Sequence, residues 1–288
     1  MSRKNSALLR IILYSLALVI LVVGSLALYF YTANYTTESE TTTVYELTDL
    51  SSVTFSANEL DSIEINWANG MISLSPNDLL TDTILVKEVA SSEDTQKMVL
   101  KHSGKTLQID FAKTPITLFG ISNFADATKD LYIEVPSDWY CKDLAIDSAS
   151  TPVYISHMEI GEAEFNLASG DLNMDVCKVK SLTIDTASGT LNFNGELQEL
   201  ECDAASADCN IRVSNSPKKI ECNSASGDLI LSLPEDCGFS CESDGLNVDF
   251  SSDFPTTIED GRHVYGNGSC QINFDTLSGS LTIYKLVP

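Results

Sequence analysis

Five segments of the chain fall into register with one another, and this self-similarity restricts the fold more than any other feature. They are LAIDSASTPVYI (Leu144 to Ile155), AEFNLASGDLNM (Ala163 to Met174), LTIDTASGTLNF (Leu182 to Phe193), LECDAASADCNI (Leu200 to Ile211) and IECNSASGDLIL (Ile220 to Leu231). The shared serine recurs at Ser150, Ser169, Ser188, Ser206 and Ser226, so successive spacings are 19, 19, 18 and 20 residues. Within each unit apolar residues alternate with polar ones, as in a strand with one buried face. Leu182 and Ile184 point one way and Thr183 and Asp185 the other; beyond the turn, Leu191 and Phe193 point inward and Asn192 outward. The Ser-Gly pair between the halves supplies a tight turn, because glycine tolerates positive φ. Asp171, Asp208 and Asp228 follow it, a favoured turn chemistry.

A unit of two short strands cannot bury its own apolar face. Stacked copies can, in ladders about 4.8 Å apart. Ile146, Phe165, Ile184, Cys202 and Cys222 form one inward ladder, and Leu172, Leu191, Cys209 and Leu229 another. The fold expected is all-β: a right-handed β-solenoid of parallel strand–turn–strand rungs over residues 136–288. An antiparallel β-sandwich or meander is the alternative, since unit length alone does not separate the two. Degenerate copies flank the series at Asn247 (SCESDGLNVDF) and at Phe274 to Ile283, and IEINWANGMISL (Ile63 to Leu74) has the same shape upstream. Residues 51–135 are less regular. Ile84-Leu85-Val86, Met98 to Leu100, Leu107 to Phe111 and Leu131 to Val135 read as strands, and His102-Ser103-Gly104 as a hairpin turn. This part is expected to continue the sheet and cap an end that would otherwise template aggregation.

Ahead of the repeats stands a 21-residue uncharged run, Ile11 to Tyr31. As a helix it spans roughly 31 Å, the thickness of a bilayer core. Arg3, Lys4 and Arg10 precede it and the first charges after it are Glu38 and Glu40. The positive-inside rule therefore leaves residues 1–10 cytoplasmic, 11–31 as a membrane anchor and the remainder extracytoplasmic, with 32–50 a Thr-rich linker. A cleaved secretory signal is the competing reading, with Ser25-Leu26-Ala27 as a small-x-small site. The run continues past that site, which favours the anchor. Both readings export the repeats.

All 41 acidic residues follow the run and three of the 17 basic ones precede it, so the exported part carries 14 − 41 = −27 formal charges. Such a surface repels phosphate backbones and anionic headgroups, which argues against nucleic acid as a partner. It suits solubility, and it leaves divalent cations or basic partners open. Asp147, Asp185 and Asp203 share one outward row with Asn166 and Asn223; these carboxylates are expected to be solvated, or bridged by calcium.

The TASG-x-L units, IEINWANG, the ILVKE strand and KDLYIEVP together resemble the β-strand-repeat domain-of-unknown-function family whose members carry an adhesin label, itself an inference from fold. The resemblance runs from about Leu60 to the C-terminus. It implies a single-pass or secreted envelope protein of Gram-positive type, with some members linked to envelope stress, and it brings no catalytic residues.

The cysteines at positions 141, 177, 202, 209, 222, 237, 241 and 270 are an even set in an exported chain. Cys202, Cys209 and Cys222 replace Ile, Phe or Leu of other copies, so small buried hydrophobes are expected there. A Cys202–Cys222 disulfide between neighbouring rungs would be strained; Cys237, Cys241 and Cys270 are freer to pair. Zinc is not expected, because no CxxC occurs and no histidine is in register. His102, His157 and His263 are scattered with no nucleophile motif beside them. Arg212 near the Asp208 row is the one pairing reminiscent of β-helix polysaccharide lyases, and it reads better as an outward charge partner. Trp139, Tyr140 and Tyr154 could stack on sugars, whereas Trp67, just before a turn, suits the core. No catalytic, cofactor or metal residues are therefore assigned. Three functions remain: a non-catalytic surface module contacting an envelope or surface protein or glycan, an envelope-stress sensor acting through a membrane partner, and a polysaccharide-active enzyme.

Overall fold

The computed structural model describes residues 43–46, 52–90, 97–112 and 128–286. The expected anchor at 11–31 lies outside them; among the described residues no helix is long and apolar enough to cross a membrane. Strands dominate. They are β1 (Thr43–Glu46), β2 (Ser52–Ser56), β3 (Ser62–Asn69), β4 (Ile72–Pro76), β5 (Thr83–Ala90), β6 (Val99–Ser103), β7 (Thr106–Asp110) and β8 (Lys129–Val135). Then come β9 (Tyr140–Ser150), β10 (Val153–Ser156), β11 (Glu159–Ser169), β12 (Leu172–Val213), β13 (Lys219–Ser226) and β14 (Leu229–Leu233). The chain closes with β15 (Phe239–Ser252), β16 (Thr257–Glu259), β17 (Arg262–Tyr265) and β18 (Cys270–Lys285). Among the described residues there is one 3-10 turn, Ala57–Glu59, which follows β2.

The rungs are parallel and in the register of the repeat. Ile146 stands opposite Phe165, Phe165 opposite Ile184, and Cys202 opposite Cys222. Parallel pairing at every repeat excludes the antiparallel sandwich, in which successive strands would alternate direction. Each rung has two working strands. The first (143–150, 162–169, 219–226 and their equivalents) forms one face of the solenoid, called A here. The second (153–156, 172–175, 209–212, 229–233) forms face B. β12, at 42 residues, runs unbroken through successive rungs of both faces.

Period-two alternation places one residue in two between the faces, and these inward residues make one continuous core. It includes Ile65, Ile146, Phe165, Ile184, Leu191, Phe193, Leu229 and Phe274, all buried. Glycine corners let the rungs approach closely. Gly170 sits at φ 129°, and a Cβ there would lie 2.5 Å from the Thr151 carbonyl oxygen of the rung below. Gly189 stacks on Gly170 in the same way.

β3 and β4 belong to the stack: they pair in parallel with β9 and β10, and on their other side with β7 and β8. Antiparallel strands then close this end, β6 and β1 beyond β7, β5 and β2 beyond β8. The turn after His102 is the expected hairpin between β6 and β7. At the other end the stacking order departs from chain order. β18 enters between β13 and β15, so the Asn247 copy is the outermost rung. The β16–β17 hairpin covers only its first residues, Phe239 to Cys241. The longer segment 253–269 provides the reach for this crossover.

Candidate functional site

Face A displays the predicted carboxylate row. Asp110, Asn66, Asp147, Asn166 and Asp185 follow one another across neighbouring strands, as do Asp203, Asn223 and Asp275. Interleaved amides relieve the repulsion by donating hydrogen bonds: Asn66 to Asp110 (2.8 Å), Asn166 to Asp147 (2.9 Å) and Asn223 to Asp203 (2.8 Å). Asp185 faces Asp203 with no amide between them. Partial burial, then the charges of Asp203, Glu164 and Glu201, push its carboxyl up to about 6. Burial also raises Asp147, against the Asn166 hydrogen bond. A parallel outer row adds Glu64, Glu164, Glu201 and Glu221, of which Glu64 is raised by burial and by Asp110 and Asp147.

The aspartates after the turns have a different job. Asp171 accepts the Thr190 N–H (2.9 Å), Asp208 the Asp228 N–H (3.0 Å), and Asp228 the Ser280 N–H (2.8 Å), each from the next rung. They tie corners together. Asp208 is thus engaged at a corner, while Arg212 lies farther along on face B, in the row of Ser232 and Tyr284.

Face B carries a row that the repeat alignment contains but the sequence reading did not single out. Tyr132, Ser73, Tyr154 and Asn173 succeed one another by register. Asn192 then donates to Asn173 (2.9 Å) and Asn210 to Asn192 (3.1 Å). Such an amide ladder fixes Asn192 in one orientation, because its carboxamide both gives and receives along the stack. Beside it Asn194 donates to Asp175 (2.8 Å). Asn173, Asp175, Asn192, Asn194, Asn210 and Arg212 line a shallow open groove of about 390 Å³ that crosses several rungs. Tyr154 and Tyr284, each close to half exposed, lie along the same face. The position after the inward Leu or Cys (Asn173, Asn192, Asn210) was the available signal.

The other candidates separate cleanly. Trp67 is core: its ring meets Phe111 edge-on at 5.1 Å and its Nε1 donates to the Lys129 carbonyl (2.8 Å). Trp139 donates to the Leu60 carbonyl (3.0 Å). Tyr140 is exposed and its hydroxyl accepts from Lys180 Nζ (3.1 Å). His102 lies by the β6–β7 turn, His157 at a corner of positive φ, and His263 stacks on Phe250 (4.0 Å). Sequence patterns gave no hint of Lys129, which is fully buried. Its Nζ pairs with Glu88 (3.0 Å) and the Phe111 carbonyl, and sits over the Trp67 and Phe111 rings. Burial holds its ammonium below the usual lysine range, against the Glu88 charge.

All eight cysteines are buried free thiols. Cys202 stands beside Cys222 along the ladder, as expected, and its sulfur also meets that of Cys209 across the core, at 3.7 Å. The Cys237 and Cys270 thiols interact, which draws Cys237 below and pushes Cys270 above the ordinary thiol range. Burial pushes the Cys141 thiol up to about 12 and Cys177 up to about 11, so both are poor nucleophiles.

Parallel rungs, glycine corners and side-chain rows that run the length of the stack define a β-strand-repeat solenoid. Within that class the chain belongs to the Toastrack family of domains of unknown function, DUF4097, whose family model matches residues 50–284. Among solved structures it is similar to a protein of Clostridium sporogenes named "putative cell adhesion protein". That match has 12% identity and a TM-score of 0.31, and covers 86% of this chain and 100% of that one. It is also similar to a Bacteroides fragilis protein named "putative adhesin", at 12% identity and a TM-score of 0.43, covering 87% and 98%. A third similar structure, from Parabacteroides distasonis, is at 11% identity and a TM-score of 0.25. No curated protein matches the chain.

Proposed function

We propose that this chain is a non-catalytic, adhesin-like binding module, held outside the cell membrane by residues 11–31 and engaging an extended surface partner through face B. The observation that carries this reading is the groove along the Asn173–Asn192–Asn210 ladder. Its polar groups repeat once per rung and point outward from a rigid sheet. Rungs recur about every 4.8 Å, comparable to the advance per sugar of an extended β-linked glycan. A linear partner can therefore meet equivalent amides at successive units, with Tyr154 and Tyr284 offering rings for stacking. Face A, with its dense carboxylates, keeps the exported domain soluble and disfavours anionic surfaces.

The test is a binding screen of cells displaying the full chain against arrayed envelope and host glycans and surface proteins. A Tyr154→Ala/Asn192→Ala/Arg212→Glu variant, shown to be folded by circular dichroism, should lose at least tenfold of the binding. Glu221→Gln on face A should keep it. Binding unaffected by the face B changes, or lost with the face A change, contradicts the proposal. Protease added to intact cells should remove the domain and leave the segment around 11–31 in the membrane; complete protection would refute the extracytoplasmic placement.

A further inference from the structure

Cys202, Cys209 and Cys222 come from three separate strand segments, two on face A and one on face B. Their sulfur atoms nevertheless all lie within 4.8 Å of one another. The Cys202–Cys209 separation is 3.7 Å, and all three residues are buried. The three lie in the continuous buried core that also holds Leu200, Ile211, Ile220 and Leu229.

We propose that these three thiols form a trigonal, all-sulfur site for a soft monovalent cation, Cu(I). With metal–sulfur distances near 2.3 Å, a trigonal-planar arrangement sets its sulfurs about 4.0 Å apart. A disulfide instead needs sulfurs at about 2.05 Å, and it would use two of the three. The cluster has the dimensions of the first arrangement and the number of ligands it requires. Thiolates select soft ions such as Cu(I) and zinc. Zinc, however, takes four ligands. Among the described residues no further histidine, cysteine or carboxylate joins the group, whose three members are all buried. Three-coordinate sulfur suits Cu(I).

Binding needs thiolate. A Cu(I) ion held by three thiolates displaces three protons to solvent and leaves the site with two net negative charges. The copper remains Cu(I) throughout, so no oxidant or reductant is consumed. The second thiol group, around Cys237 and Cys270, does not gather three sulfurs this closely and serves as the internal control.

The experiment uses the full chain in detergent micelles, reduced and anaerobic, loaded with Cu(I) as its acetonitrile complex. The expected result is one copper retained per chain after gel filtration. It should be accompanied by an ultraviolet thiolate-to-copper band and a copper X-ray absorption spectrum with only sulfur neighbours. Cys222→Val and Cys209→Leu carry side chains of the kind that neighbouring rungs place there, so at least one should keep the wild-type circular dichroism. A folded variant of this pair should retain at least tenfold less copper, whereas Cys270→Val should match wild type. No retained copper, retention unchanged in both cluster variants, zinc binding of equal strength, or a Cys202–Cys209 disulfide in protein isolated from intact cells would each overturn the proposal.

Discussion

Replacing Gly170 by alanine should destabilise the domain far more than the same change at Gly104, and the difference measures how tightly the rungs stack. Gly170 has φ 129°, and a Cβ there would lie 2.5 Å from the Thr151 carbonyl oxygen and 3.0 Å from its carbon. Those atoms are backbone, fixed by the parallel ladder on both sides. Relief would require two rungs to separate locally. Gly104 has φ 58°, inside the left-handed pocket that L residues visit, and a Cβ there meets nothing within 4 Å.

At Gly170 the backbone strain costs about 1–3 kcal/mol and the forced displacement about 1–3 kcal/mol. Together these amount to about 2–6 kcal/mol. At Gly104 only the left-handed penalty applies, about 1 kcal/mol. For a domain of this size each kcal/mol moves the melting temperature by about 2–4 °C. Gly170→Ala should therefore lower it by roughly 4–24 °C, and Gly104→Ala by roughly 2–4 °C. Far-UV circular dichroism of the full chain in micelles, heated in parallel, reads both. Equal shifts would refute the close approach of rungs at the glycine corners.

Asp185 predicts a pH signature. Its folded carboxyl titrates at about 6 against a model-peptide value of 3.8, so the fold favours the protonated form. The sign follows: the stability contributed by Asp185 is fully present below about pH 4 and is lost as pH rises through about 6. Asp185→Asn should stabilise the domain at pH 7.5 by roughly 1 kcal/mol, after allowing for the row's contact with solvent, and should bring no gain at pH 4. A gain that is constant across this range would contradict the Asp185–Asp203 repulsion. Lys129→Met leaves the buried Glu88 with only the longer Lys97 ion pair (3.7 Å) and the Met98 N–H, and should cost about 3 kcal/mol. Glu88→Leu together with Lys129→Met should recover most of it, as read by urea unfolding; a double variant as unstable as the single would refute the pairing.

Much of the fold was legible because a period of about nineteen residues and an alternation of two leave one register. Ile146, Phe165 and Ile184 had to fall in line once the serines were aligned, and the Asp147–Asn166–Asp185 row followed with them. The order of rungs at the C-terminal end was not legible. Local pattern says that 239–252 and 270–285 are rungs, but not that the later one inserts before the earlier. The thiol cluster was half legible: Cys202 and Cys222 share a ladder, whereas Cys209 meets them only because faces A and B pack across the core. Lys129 was hidden for another reason. Its partners Glu88, Trp67 and Phe111 come from three other strands or their ends, and no local period links them.

The measurement closest to the heart of the account is a distance along the stack. Spin labels at Glu64 and Asn273, on β3 and β18, lie in one outward row of face A through positions 145, 164, 183, 201 and 221. Six steps of about 4.8 Å place them roughly 29 Å apart. Double electron–electron resonance on the full chain should give one distribution centred near that value once label length is included. Stacking in strict chain order would insert one more rung and lengthen it to roughly 34 Å. A broad or much shorter distribution would contradict the parallel solenoid itself.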